Sequence, residues 1–355
     1  MKIAIVTQSQ IVRVPHLKIF RNILNDYNCN YDIICWNKEG LVDKEGIIFN
    51  YYCPATSPKI KKIYGYLLYL RFIISKVNRS SYDKLIIISP ALAIVMYPYL
   101  KFKYKNKFWL DYRDVSIEQK FMKIFTKVLR ISSNISISSD GFRDVLPMNF
   151  DYVLSHNFNI DIIKSSRLNN SNLCKKNISN LPIVISTIGY LRDTNVYIEL
   201  IDGLKDSKNF ELRFIGEGPS VNNLKNYKDI NRISNMSFYG RYEICEESTF
   251  YYETDFVNIY FPKEFSNLMS NRFYNALIYH RPMIVNSNSF QAEFVKKYNL
   301  GLVVDDFVDV ENKLFDYLQS YNCVEFEENC NNLLNEFLSD YYYFEKKLLE
   351  FLNIR

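Results

Sequence analysis

Glycine is scarce in this chain, at 10 of 355 residues, histidine scarcer still at three, and none of the seven cysteines falls in a CxxC pair. Each shortage narrows the possibilities. His16, His156 and His280 are not spaced as a metal-binding pair, which argues against a zinc site. The cysteines at 29, 35, 53, 174, 245, 323 and 330 are odd in number and scattered, so they read as reduced thiols packed in a cytosolic protein. No apolar run reaches the ~20 residues that cross a bilayer. The nearest, Leu85–Leu100, holds 16 and carries Pro90 and Pro98, so it reads as a strand followed by a helix. The apolar part of MKIAIVTQSQ is too short for a signal peptide and reads as a first strand. No short-period repeat points to a solenoid.

What the chain does contain is a globular composition, with 48% apolar and 23% charged residues. Its length exceeds one ordinary core and predicts two domains. The net charge of +5 hides an asymmetry. Residues 1–170 hold 25 Lys/Arg against 13 Asp/Glu, or +12, while residues 171–355 hold 19 against 26, or −7. A basic half joined to an acidic half suggests that one lobe faces something anionic.

Short Ile/Val-rich runs alternate with helical patterns from the first residue. The runs predict strands at 2–7, 31–36, 46–51, 84–89, 107–111, 134–138 and 151–155, with helices near 15–26, 59–78, 91–100, 116–131 and 140–146. The segment Ser165–Leu181 is polar, rich in Asn and Ser, and without period. After Pro182 the alternation resumes, with strands at 183–188, 210–215, 236–239, 255–260, 282–286 and 301–304. Helices fall at 194–205, 219–226, 243–252, 268–279 and 289–298, and the chain is helical from 308 onward. Strand–helix alternation calls for parallel sheets covered on both faces. The expected plan is an N-terminal Rossmann-like domain over 1–164, a linker over 165–181, and a C-terminal Rossmann-like domain over 182–335. A last helix over 336–355 would pack back on the first domain.

Four segments of the second half carry a family resemblance: IVISTIGYLRDTNVYIELIDGL, FELRFIGEGPSVNNL, MSFYGRYEICEESTFYYETDFVNIYFP and NLMSNRFYNALIYHRPMIV. With FWLDYRD and ISSDGFRDVLP in the first half, this ordered set resembles GT-B glycosyltransferases, in particular glycosyltransferase family 4. The resemblance implies an α/β fold of two doubly wound domains facing across a cleft, with C-terminal helices. It also implies a nucleotide diphosphate-sugar held by the second domain without a metal or other cofactor. Gly189 and Arg192 match the diphosphate site, although the Lys that usually follows is replaced by Asn195-Val196-Tyr197. A glycine turn, a helix N-terminus and a guanidinium suit an anion on physical grounds as well.

Gly216, Glu217 and Gly218 resemble a turn lining the donor pocket, and read equally well as a plain tight turn into a helix. Arg241 and Tyr242 fall beside the expected nucleotide base, or at a solvated strand end. The family's Glu-x7-Glu signature becomes Asn267-x7-Asn275 here, with Glu264 nearby but out of register, and with Asn271 and Arg272 between. Asparagine still hydrogen-bonds hydroxyls but brings no charge. Arg272 stands where relatives carry a Lys aimed at the phosphates.

In the first half, Asp111, Arg113 and Asp114 end a strand and are the candidates for contacting an acceptor, the alternative being an Asp–Arg pair that holds a turn. His16 opens the first helix where the family has a Gly-rich turn. Residues 58–79 mix six Lys/Arg with Tyr, Leu, Ile and Phe, like a helix lying on an anionic membrane surface. No nucleic-acid-binding motif accompanies the charge, so nucleic acid is not the expected partner. The sequence therefore predicts a cytoplasmic glycosyltransferase, peripheral at the inner face of the plasma membrane. Its acceptor would be a saccharide or polyprenyl-linked saccharide for capsule or exopolysaccharide, with retention of configuration. The alternative is a non-catalytic GT-B subunit supporting an active partner.

Overall fold

The computed structural model describes residues 1–40, 45–163, 181–262 and 265–354. The chain forms two compact units, one of Met1–His156 with Ser339–Arg355 and one of Asn157–Leu338. Of the segment 165–181, only Leu181 lies among the described residues.

The first unit is a seven-stranded parallel sheet of order β3-β2-β1-β4-β5-β6-β7. Its strands are β1 (Lys2–Thr7), β2 (Asn30–Asn37), β3 (Ile47–Asn50), β4 (Lys84–Ile88), β5 (Phe108–Tyr112), β6 (Asn134–Ile137) and β7 (Tyr152–Leu154). Four helices connect them: α1 (Leu17–Asp26), α2 (Lys59–Ser80), α3 (Pro90–Lys103) and α4 (Met122–Ile131). The near-continuous apolar runs of β1 and β4 follow from burial on both faces of the sheet. Two predicted helical stretches are partly or wholly 3-10 in form. Ile117–Phe121 and Asp140–Asp144 are single 3-10 turns, the second begun by Ser139, whose hydroxyl accepts from the Gly141 amide at 3.2 Å.

The second unit is a six-stranded parallel sheet of order β10-β9-β8-β11-β12-β13. These strands are β8 (Ile183–Ile188), β9 (Phe210–Ile215), β10 (Met236–Gly240), β11 (Phe256–Asn258), β12 (Met283–Asn286) and β13 (Gly301–Val304). Its helices are α5 (Thr194–Leu204), α6 (Val221–Ile230), α7 (Glu247–Tyr252), α8 (Asn271–Ile278), α9 (Phe290–Lys297), α10 (Val310–Ser320) and α11 (Cys323–Leu352). In each sheet the strand order reverses beside a central strand, β1 in the first and β8 in the second. Ligands of open α/β sheets bind at the carboxyl ends of strands at such points.

The last turns of α11 belong to the first unit's core. The Phe344 ring lies 5.3 Å from Phe20 and 5.4 Å from Trp109, edge to face in both cases. Leu348, Phe351 and Leu352 join the same buried cluster. Each such side chain contributes roughly 1.5–3 kcal/mol by burial. Cys29, Cys35, Cys53, Cys245 and Cys330 are free thiols. Cys323 is disulfide-bonded, which corrects the expectation of reduced thiols throughout; with no paired spacing in the sequence, nothing there signalled it. Among the described residues no helix is long and apolar enough to cross a membrane.

Candidate functional site

The turn that leaves β8 organises the second unit's site. Gly189 has φ +103°, and its amide donates to the Ile215 carbonyl at 2.8 Å. Leu191 donates to the Glu217 carbonyl at 2.9 Å, and Ser220 donates back to the Leu191 carbonyl at 3.1 Å. The two turns, 189–191 and 216–218, therefore lie backbone against backbone. A Cβ on Gly216 would sit 1.9 Å from the Gly189 oxygen, and one on Gly218 would sit 2.1 Å from the Leu191 oxygen. Close approach of a neighbouring turn, not of a ligand, is what requires glycine at 216 and 218.

Arg272 clamps the same turn from the other side. Ser270 precedes α8, and its hydroxyl accepts from the Arg272 amide at 3.0 Å. The Arg272 side chain is buried, 8% exposed. Its Nε donates to the Ile188 carbonyl, and Nη2 donates to the Tyr190 carbonyl at 2.9 Å. Hydrogen bonds from a charged donor contribute about 1.5–3 kcal/mol each. These carbonyls fall where the strand ends and offers no further ladder partner. Arg192, by contrast, is exposed. Its guanidinium lies 5.4 Å from the Phe265 ring and 6.0 Å from the Tyr190 ring, just before α5. The residue that precedes α5, Asp193, makes no side-chain cap hydrogen bond to the first turn of the helix.

Further along the strand ends, Arg241 is exposed after Gly240, and the Tyr242 hydroxyl donates to Glu247 Oε1 at 3.1 Å. Asn275, on α8, lies beside Glu247 and Tyr251. Asn271 accepts from Asn157 at 2.6 Å, and Asn267 accepts from its neighbour Ser266 at 3.0 Å. Glu264 lies outside the described residues.

In the first unit, Asp111 and Arg113 form a buried brace. Asp111 is fully buried and accepts from Arg113 Nε at 2.7 Å and from Ser136 Oγ at 2.6 Å. The remaining guanidinium nitrogens hold the Ser155 carbonyl at 2.6 Å and its hydroxyl at 2.7 Å. Asp114 is exposed. A cavity of about 130 Å³ lies at the carboxyl ends of β1 and β4, its lining including Thr7, His16, Ser89, Asp111, Arg113 and Asp114. His16 Nε2 is buried there with no hydrogen-bond partner. Burial, then the Arg113 charge, lowers its pKa to about 4 against the pull of Asp111, so the imidazole is neutral at physiological pH. Ser89, at φ +139°, is a strained non-glycine residue on this rim.

The sequence matches no family model and no curated protein. Solved structures do match. Sucrose-phosphate synthase from Thermosynechococcus elongatus superposes with a TM-score of 0.72 at 11% identity, covering 99% of each chain. HepE from Anabaena, in complex with UDP, gives 0.67 at 12% identity over 99% of this chain and 100% of that one. A glycosyltransferase from Rickettsia africae gives 0.67 at 15% identity over 99% and 98%. The fold is GT-B. At such identities the likeness carries the fold alone.

Within the GT-B fold, Gly189, Arg192, Gly216, Glu217, Gly218 and Arg272 gather around one pair of turns, while Tyr242 and Asn275 lie beside Glu247 and Arg241 is exposed at the end of β10. Sequence reasoning missed three contributors: Phe265 under Arg192, Ser270 as the cap of α8, and Glu247. A serine directly before a helical pattern was the available signal for Ser270; the other two come from packing between distant elements. The packed turns yield a direct test. Gly216→Ala is expected to lower the melting temperature well beyond Gly189→Ala. The latter meets open space and carries only the backbone strain of roughly 1–3 kcal/mol. Equal melting temperatures would show that the turns are not packed this way.

Proposed function

We propose that the chain is a glycosyltransferase that moves a sugar from a nucleotide diphosphate-sugar to a saccharide acceptor. One observation carries this reading: an exposed Arg192 just before α5, beside a turn that Arg272 holds in place. In the transfer, the bond from the anomeric carbon to the phosphate oxygen breaks, and a bond to the acceptor hydroxyl oxygen forms. Negative charge develops on the departing nucleoside diphosphate as that bond breaks, and one of its phosphate oxygens takes the hydroxyl proton. Arg192 and the α5 amides would stabilise that charge, which needs no metal. We assign the acceptor to the first unit's cavity, where Asp114 is the exposed carboxylate and Asp111 and Arg113 shape the wall.

Complexes of HepE with UDP-glucose and of the T4 phage BGT with UDP-glucose make UDP-sugars the first donors to test. Retention of configuration, a polyprenyl-linked acceptor and a role in capsule or exopolysaccharide synthesis follow from the family resemblance. Purified protein is expected to bind at least one of a panel of UDP-, GDP- and ADP-sugars by calorimetry and to release nucleoside diphosphate slowly. Arg192→Ala is expected to lower that release by about 10²–10³-fold. Absence of binding across the panel would favour the non-catalytic subunit, the reading that Asn267 and Asn275 motivate.

A membrane-associated acceptor also suits α2. Its buried face is Gly65, Tyr69, Ile73 and Val77. On the outside, Ile60, Ile63, Tyr64 and Leu67 are between 52% and 82% exposed, at helical spacing and beside Lys59, Lys61, Lys62 and Arg71. An apolar stripe edged with cations matches an anionic lipid interface, at about 1 kcal/mol per cation. The protein is expected to float with vesicles containing phosphatidylglycerol but not with pure phosphatidylcholine. The double substitution Ile63→Glu, Leu67→Glu is expected to abolish flotation; flotation of that variant at the wild-type level would remove this assignment.

A further inference from the structure

Lys38 follows the last residue of β2, as Gln8 follows the last residue of β1, so both stand at the carboxyl ends of neighbouring parallel strands. The Lys38 carbonyl accepts from the Cys53 amide at 2.9 Å, which fixes the backbone at that point. Its side chain lies in a corner between two rings. Trp36 and Tyr66 meet edge to face with centroids 5.2 Å apart, and the ammonium is 4.3 Å from the Trp36 centroid and 4.8 Å from that of Tyr66. Among the described residues no carboxylate pairs with it, and Glu39, next in sequence, is held by Arg13 at 2.8 Å instead.

An ammonium carries three donors, and this one makes a single long hydrogen bond, to the Tyr66 hydroxyl at 3.5 Å. Because lysine can only donate, the Tyr66 oxygen accepts from it, and the Tyr66 proton goes to Gln8 Oε1 at 2.6 Å. That relay turns the Gln8 carbonyl toward Tyr66 and leaves the Gln8 amide nitrogen with no partner among the described residues. Gln8 also lines the first unit's cavity, with Asp111 and Arg113. This side of the cavity thus holds unused donors and a half-buried cation that gains from an incoming anion. Burial lowers the Lys38 pKa to about 8, with Cys53 and Glu39 raising it and Lys62 lowering it, so the ammonium stays charged at neutral pH. No second cation is available beside it. Arg13 is paired with Glu39, Arg113 with Asp111, and Lys62 donates to the Ala55 carbonyl. The site therefore balances one negative charge, as a carboxylate brings, and not the nearly two of a phosphate monoester.

We propose that Lys38 and the Gln8 amide bind a carboxylate on the acceptor, which makes the acceptor an acidic saccharide of the uronic-acid class; this rests on the acceptor assignment above. One carboxylate oxygen takes the ammonium and the other the amide N–H. Trp36 and Tyr66 are positioning residues. They hold the ammonium in place before the ligand arrives, so little side-chain freedom is lost on binding. A neutral hexose in the same place leaves the cation unpaired, and Lys38 thereby selects the acidic sugar.

The test is a titration of full-length protein carrying nitrogen-15 tryptophan, followed through the indole N–H signals of its two tryptophans. Trp36 lies under Lys38, whereas Trp109 donates to Ser136, which donates to Asp111 on the cavity wall. Methyl glucuronide is expected to move both signals and to bind about tenfold or more tightly than methyl glucoside, which moves Trp109 alone. Lys38→Met is expected to bring the two affinities within about twofold, while Lys38→Arg keeps the preference. A melting temperature close to wild type and an unshifted Trp109 signal establish that each variant is folded. Glucuronide that moves Trp109 alone, or that wild-type protein binds no better than glucoside, overturns the Lys38 assignment and leaves the acceptor cavity standing. So does Lys38→Met preferring the glucuronide as wild type does. Tighter binding of glucose 6-phosphate than of the glucuronide overturns the carboxylate. If none of these sugars moves either signal, the acceptor assignment falls, and the Lys38 assignment with it.

Discussion

A buried guanidinium on two backbone carbonyls is the constraint from which the second unit's site follows. Arg272 reaches from the start of α8 to the end of β8 and holds the Ile188 and Tyr190 carbonyls. The buried Ile188 oxygen would otherwise lose its Arg272 partner, at a cost of about 1–3 kcal/mol. With the turn fixed, Gly216 and Gly218 can press against it, Leu191 can donate to Glu217, and Arg192 is left facing outward over Phe265. One cation thus serves the scaffold and the other is available to a ligand. The two had looked equivalent as phosphate contacts in the sequence.

The first unit repeats this division of labour. Asp111 and Arg113 satisfy each other, Ser136 and Ser155, so their main work is to brace the ends of β5, β6 and β7. His16 is left with a buried, unpartnered nitrogen on the cavity wall. Its neutrality follows from burial and from the neighbouring Arg113 charge. An uncharged ring nitrogen beside an exposed carboxylate, Asp114, gives the cavity a polar, hydroxyl-compatible lining.

Much of the fold was legible because parallel sheets write themselves as short apolar runs. Leu85–Ile88 is buried on both faces and wholly apolar, and Ile183–Ile188 is buried throughout with only Ser186 and Thr187 to blur the pattern. The helical pattern over 116–131 resolves into a 3-10 segment at Ile117–Phe121 followed by α4, and that over 140–146 into the 3-10 segment Asp140–Asp144, because so short a segment has no period of its own. The site was legible only as positions along strand ends. Which cation is buried, whether glycine serves a ligand or another turn, and that Glu247 meets Asn275 all depend on contacts between elements far apart in sequence.

Hydrogen exchange at the β8 turn tests the central claim most directly, because the Gly189 and Leu191 amides are both bonded when the turn is clamped. If Arg272 is the clamp, Arg272→Ala speeds exchange at these two amides by orders of magnitude relative to the β8 amides, while Arg192→Ala leaves them as protected as in wild type. Unchanged protection in Arg272→Ala, or a loss of protection in Arg192→Ala as large as in Arg272→Ala, would contradict the account.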